Sequence, residues 1–174
     1  MKIAQIISLA ALVAAALVGP VRADPPMTQD RLFEILRDID PESRQEGAAV
    51  QLTLDEIPLV VIVDARADRM RAMVPIRSAD TMDKDELHRL LQANFDSALD
   101  ARYAIARGRL WGVFIHPLAA LERRELLSGL IQTINVARSY GQTYSGGASV
   151  FGGGDSNEIY DRLLQELLDK GQAL

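Results

Sequence analysis

Three strand-like segments follow one another between Ala49 and Ile76, with connections too short to hold a helix. Val50, Leu52 and Leu54 alternate with Gln51, Thr53 and Asp55, the period of two that turns one side of a strand to the core and the other to water. Pro58 separates this segment from Leu59 to Val63, five consecutive apolar residues of which four are β-branched, a run that asks for burial on both faces. After a short polar connection, Met70, Ala72, Val74 and Ile76 alternate with Arg69, Arg71, Met73 and Pro75. A parallel neighbour requires a crossover of about a dozen residues, so segments this close together must pair antiparallel. The fold class is therefore predicted to be α+β, which excludes a doubly wound α/β sheet.

Helical periods flank these strands. Thr28 can cap a helix carrying Leu32, Ile35, Leu36 and Ile39 on one side, and Pro41 stops it. Asp83, with Glu86 three residues later, opens a second helix whose stripe of Leu87, Leu90, Leu91, Asn94, Phe95 and Ala98 is predicted to face inward. Arg102 to Ala106 and Leu110 to His116 form a hairpin around Arg107-Gly108. Its second strand is apolar on both faces, with Leu110, Gly112 and Phe114 on one and Trp111, Val113 and Ile115 on the other. A third helix after Pro117 turns Leu127, Leu130, Ile131 and Ile134 inward. Residues 141–154 read as a glycine-rich linker and 155–174 as a last amphipathic helix on Tyr160, Leu163, Leu164, Leu167 and Leu168. The order is αβββαββα followed by a tethered helix, with no internal repeat.

Residues 1–23 have the form of a cleaved signal peptide: Lys2, an apolar stretch from Ile3 to Val18, Gly19-Pro20, and a small residue at Ala23. Sixteen residues of helix reach about 24 Å against a hydrocarbon core of about 30 Å, so cleavage is predicted over an uncleaved anchor. The domain that follows, 24–140, is then periplasmic or secreted, and membrane contact is confined to the signal peptide before cleavage. The whole chain carries a formal net charge of −5, and removal of Lys2 and Arg22 leaves the remainder two charges more negative. With no polybasic run, nucleic acid and anionic lipid are excluded as partners, since both are held chiefly by neutralising phosphate. The absence of cysteine excludes disulfides, thiol nucleophiles and thiolate metal sites.

Motifs for chemistry are missing. His88 and His116 have no second metal-type ligand at helical or hairpin spacing, and no serine stands in an acyl-transfer elbow. Gly147 and Gly152 begin a phosphate-loop spacing, but Gly153 and Gly154 stand where lysine and a hydroxyl residue belong. Asp38 to Asp40 and Asp155 to Asn157 start like calcium loops and lack the required glycine and glutamate. No catalytic residue, metal or cofactor is predicted. Asn94 and Asn135 fall on or beside apolar stripes, where an amide must be paired, and a hydrogen bond to a sheet edge or loop is the expected use. The two-faced runs at Leu59 to Val63 and Leu110 to Ile115 pose a larger question, because helices on one side of a sheet cover only half of that surface. The tethered helix, a second protomer or a bound peptide must cover the rest.

The stretch SALDARYAIARGRLWGVFIHPLAAL, from Ser97 to Leu121, carries the second helix through a small hairpin with an aromatic-rich second strand and Pro117 into the third helix. With the αβββαββα order, it resembles the type III secretion chaperone-like superfamily, in its YbjN and Tir-chaperone (CesT-type) branch, over Thr28 to about Tyr140. The resemblance implies a five-stranded antiparallel sheet with helices packed on it, homodimerisation through the fourth or fifth strand or the second helix, and binding of polypeptides without catalysis. Secretion chaperones work in the cytoplasm, whereas this chain carries an export signal, so the secretion task itself is not carried over. The expected function is that of an exported, chaperone-like protein- or peptide-binding module, with Tyr103, Trp111, Phe114, Leu163 and Leu167 as candidate partner-binding residues. The last helix is expected to occupy the apolar groove and compete with a partner for it. The alternative is a small-ligand sensor or enzyme using Asn94, Asn135, Tyr103 and His116 in a pocket between sheet and helices.

Overall fold

The hydroxyl of Thr28 accepts a hydrogen bond from the Arg31 N–H at 3.2 Å and caps α1 (Gln29–Ile39), whose Leu32, Phe33, Ile35, Leu36 and Ile39 are buried. The structure, a computed structural model, describes residues 25–96, 98–141 and 164–168. After α1 come β1 (Arg44–Glu46), β2 (Ala49–Leu54), β3 (Ile57–Asp64), β4 (Arg69–Ser78), α2 (Lys84–Asp96), β5 (Arg102–Ala106), β6 (Arg109–His116) and α3 (Arg123–Arg138). The strands form one sheet in the order β1-β2-β3-β4-β6-β5, antiparallel throughout. It has six strands where five were expected. The addition is β1, three exposed residues that pair with Ala49 to Gln51 and carry no alternation of apolar side chains to announce them.

Register fixes which side chains share a face. Val50 pairs with Val61, Val61 with Ala72 and Ala72 with Phe114, a row that is buried from end to end. Leu52 with Leu59, and Val74 with Gly112 and Tyr103, make parallel rows on the same side. These rows join the buried residues of α1 and α3 in one hydrophobic cluster. The α3 helix opens on a reciprocal capping box between Glu122 and Glu125 and lies close to the sheet because two glycines permit it. A β-carbon on Gly112 would stand 3.0 Å from the Thr133 carbonyl oxygen, and one on Gly129 would overlap the Phe114 ring.

The α2 helix starts as expected, with the Asp83 carboxylate accepting from the Glu86 N–H at 2.7 Å. Its stripe is a correction: Leu90 and Ala93 are buried, but Leu91 and Phe95 are 66% and 73% exposed. The hairpin turn has positive φ at both Arg107 (51°) and Gly108 (67°), the type I′ geometry whose twist suits two antiparallel strands. Of the predicted last helix, residues 164–168 are described and helical, with Leu164 and Leu167 buried in the main cluster and Leu168 packed against it. The predicted signal peptide lies outside the described residues, as do 142–154 of the linker and 155–163 and 169–174 of the last helix.

Candidate functional site

Since α1, α3 and the turn at 164–168 all contribute to the cluster on one side, the other face of the sheet is left uncovered by any described element. Its middle row runs Val60, Met73, Val113, Arg102 across β3, β4, β6 and β5. One row away, Ile62 pairs with Arg71 and Arg71 with Ile115. On the other side Pro75 pairs with Trp111 and Trp111 with Ala104. Val60, Met73, Val113, Pro75 and Trp111 are half-buried, while Ile62 and Ile115 are 38% and 53% exposed. This is a continuous apolar floor, the kind of surface that soluble monomers rarely leave uncovered over a large area. It grades into a depression of about 580 Å³ towards β2, lined by Asp40, Arg44, Gln51, Thr53, Pro58 and Val60 among others.

The edges of the sheet are plugged by side chains. Asn94 on α2 donates to the Tyr103 carbonyl at 3.1 Å and accepts from the Tyr103 N–H at 2.7 Å, so its amide pairs with β5 as a strand would. Gln132 Oε1 accepts from the N–H groups of Asp100 and Ala101 at 2.7 and 3.2 Å just before it. At the opposite edge, past the end of β1, Asp40 accepts from Thr53 N–H at 2.8 Å. Ile105, two residues beyond Tyr103, turns its backbone outward by the alternation of the ladder and is 49% exposed. Leu91 and Phe95 on α2 and Leu99 in the connection to β5 are likewise large, apolar and exposed.

Of the residues predicted to bind a partner, Tyr103 and Phe114 are 8% and 4% exposed and belong to the core. The Tyr103 hydroxyl donates to the Val136 carbonyl at 2.8 Å, and Phe114 stacks on His116 with ring centroids 5.9 Å apart. Leu167 is 2% exposed in the same core, and Leu163 lies outside the described residues. Trp111 is the member of the set on the uncovered face, its indole N–H donating to the Ala106 carbonyl at 3.2 Å. Sequence reasoning placed Val113 and Ile115 on its face and missed Ile62 and Met73 from the neighbouring strands, because the alternation gives the face within one strand while strand pairing gives the neighbours across it.

The polar residues of the pocket alternative are not assembled into one site. Asn94 and Tyr103 meet through the Tyr103 backbone, as a sheet-edge hydrogen bond. Asn135 is buried on α3, and His116 lies at the far end of β6, its Nδ1 2.8 Å from the Pro117 carbonyl oxygen and Nε2 4.0 Å from Glu125. No group of three or more His, Cys, Asp or Glu side chains suited to a metal ion occurs among the described residues. The polar cluster at the end of α3 is structural. Arg77 reaches Glu86 at 3.3 Å and the Tyr140 hydroxyl at 3.1 Å, and that hydroxyl also donates to Glu86, tying β4, α2 and the end of α3 together. Burial, followed by the Glu86 hydrogen bond, raises the Tyr140 pKa above 10.0, so the phenol remains protonated where free tyrosine begins to ionise.

No family model and no curated protein matches the chain. Among solved structures, a chain of the ExsC–ExsE complex is similar over 70% of this chain and 99% of its own, with a TM-score of 0.55 at 12% identity. The Yersinia pestis type III secretion chaperone SycH, in complex with a stable fragment of YscM2, matches over 62% of this chain and 97% of its own, with a TM-score of 0.46 at 14% identity. For the HopA1–SchA chaperone–effector complex the shares are 66% and 98%, with a TM-score of 0.44 at 15% identity. At 12% identity the first likeness is one of fold, and the α+β architecture is shared with it.

Proposed function

We propose that the chain is an exported, non-enzymatic protein- or peptide-binding module, chaperone-like in kind, belonging to the YbjN and Tir-chaperone branch of the type III secretion chaperone-like superfamily. The observation that carries this reading is the sheet covered on one face only, with Trp111, Met73, Val113, Ile62 and Ile115 left on the other. A polypeptide laid on that floor removes apolar area from water, at roughly 25 cal/mol per Å², against the cost of ordering it there. The similar ExsC–ExsE structure is itself a complex, which accords with a binding role for the fold. Homodimerisation through α2 and the β5 edge is part of the proposal, since Leu91, Leu99 and Ile105 are large, apolar and exposed there.

The test is a photo-crosslinking amino acid in place of Ile115, an exposed position on the floor, in the protein expressed in a Gram-negative host. A discrete heterologous protein adduct is the expected result; self-adducts alone, or none, would contradict the reading. Export is tested separately. N-terminal sequencing of the fractionated protein should begin at or within a few residues of Asp24, and full-length chain in the membrane pellet would contradict it.

A further inference from the structure

We propose that the segment bound on the uncovered sheet face is acidic as well as apolar, carrying aspartate or glutamate beside its large apolar side chains. This inference rests on the protein-binding reading and names the chemistry of the partner. Register places five arginines on the same face as Trp111, namely Arg44, Arg69, Arg71, Arg102 and Arg109, against the carboxylates of Glu46 and Asp64 on the strands and of Asp40 and Glu42 at the depression beside β2. The whole chain has 24 acidic and 19 basic residues, so a face with the opposite balance is not a consequence of composition.

Asp64 stands at the end of β3 and accepts the N–H groups of Arg66 and Ala67 at 3.1 and 3.0 Å, which commits one of its oxygens to the turn. None of the five guanidinium groups is in an ion pair among the described residues. Arg69 and Arg102 each donate to the carbonyl of the preceding residue, one bond from a group with five donors. Arg71 matters most, because it sits between Ile62 and Ile115 in the middle of the face. Its aliphatic stem adds to the apolar floor, and its head rises to the level of a peptide lying on Val60, Met73 and Val113. Arg102, at the end of that row, does the same from β5. Carboxylates on such a peptide meet planar, weakly hydrated guanidinium groups that bind them in two-point fashion, above a floor that excludes water.

An anionic bilayer also combines acidic and apolar chemistry, but the chain's net charge of −5 opposes approach to one, and a floor of half-buried side chains favours a narrow segment over a broad surface. Trp111 is the sole tryptophan, so its fluorescence reports on this face alone. The test is selection of displayed random dodecapeptides on the full-length protein, followed by titration of synthetic copies while Trp111 emission is recorded. The expected peptides are rich in Asp or Glu beside apolar residues. They shift the Trp111 emission, bind more weakly as salt is raised, and lose about tenfold or more in affinity to the Arg71→Glu/Arg102→Glu variant. Both positions are exposed, and unchanged circular dichroism of the variant separates binding loss from unfolding. Neutral or basic peptides that move Trp111 emission overturn the acidic partner and leave the protein-binding reading standing. If no selected peptide moves it, both fall. A comparable shift with phosphatidylcholine vesicles containing one quarter phosphatidylglycerol overturns the proposal in favour of a lipid surface.

Discussion

Asn94 stands in for a missing strand. An amide on the apolar side of a helix must be paired, and that requirement made a sheet-edge bond legible in the sequence. Its choice of the Tyr103 backbone was not legible, because it depends on how α2 lies against β5. Replacement Asn94→Leu removes both bonds and leaves a partly buried N–H and C=O unmatched. Stability should fall by about 1–3 kcal/mol in urea unfolding, and an unchanged midpoint would show that water replaces the amide at no cost. The aromatic residues illustrate the opposite limit. Period-two alternation separates Trp111 from Phe114, since neighbours on a strand point to opposite faces, yet it does not say which face the helices take. That is decided by Gly112 and Gly129, which let α3 approach the Phe114 side.

At the scale of elements, the five longer strands and three helices stand where the hydrophobic periods place them, because each buries a face and therefore carries periodic apolar side chains. The β1 strand buries nothing and so left no record. On α2 the period was real and its destination was not: an apolar stripe looks the same whether it faces a core or another molecule, and here it is divided between Leu90 and Ala93 inside and Leu91 outside. If the outer part is a homodimer interface, Leu91→Glu places a charge on it. Light scattering should then report a monomer where the parent protein is a dimer, with stability changed by no more than about 0.5 kcal/mol, since the side chain is 66% exposed. A dimer of undiminished affinity would exclude this patch. The last helix, 155–174, was expected to occupy the apolar groove in cis or in trans; in its described part, 164–168, Leu164 and Leu167 are buried in the main core.

For the molecule as a whole, one fact links fold to function: the sheet has two apolar faces and the described elements cover one. The sequence poses that problem through the two-faced runs at Leu59 to Val63 and Leu110 to Ile115, and the packing of α1, α3 and the turn at 164–168 shows which half remains. Register then gathers arginines on one face of an acidic chain, a feature that composition conceals because they are scattered over β1, β4, β5 and β6. The most direct measurement of this account is collisional quenching of Trp111 in the free protein at submicromolar concentration. An open face with Arg102 and Arg109 on neighbouring strand positions predicts that the indole is reached readily by acrylamide, and more efficiently by iodide than by caesium, despite the protein's net negative charge. Emission typical of a fully buried indole, reached by none of the three quenchers, would mean that the face is already covered and would contradict the account.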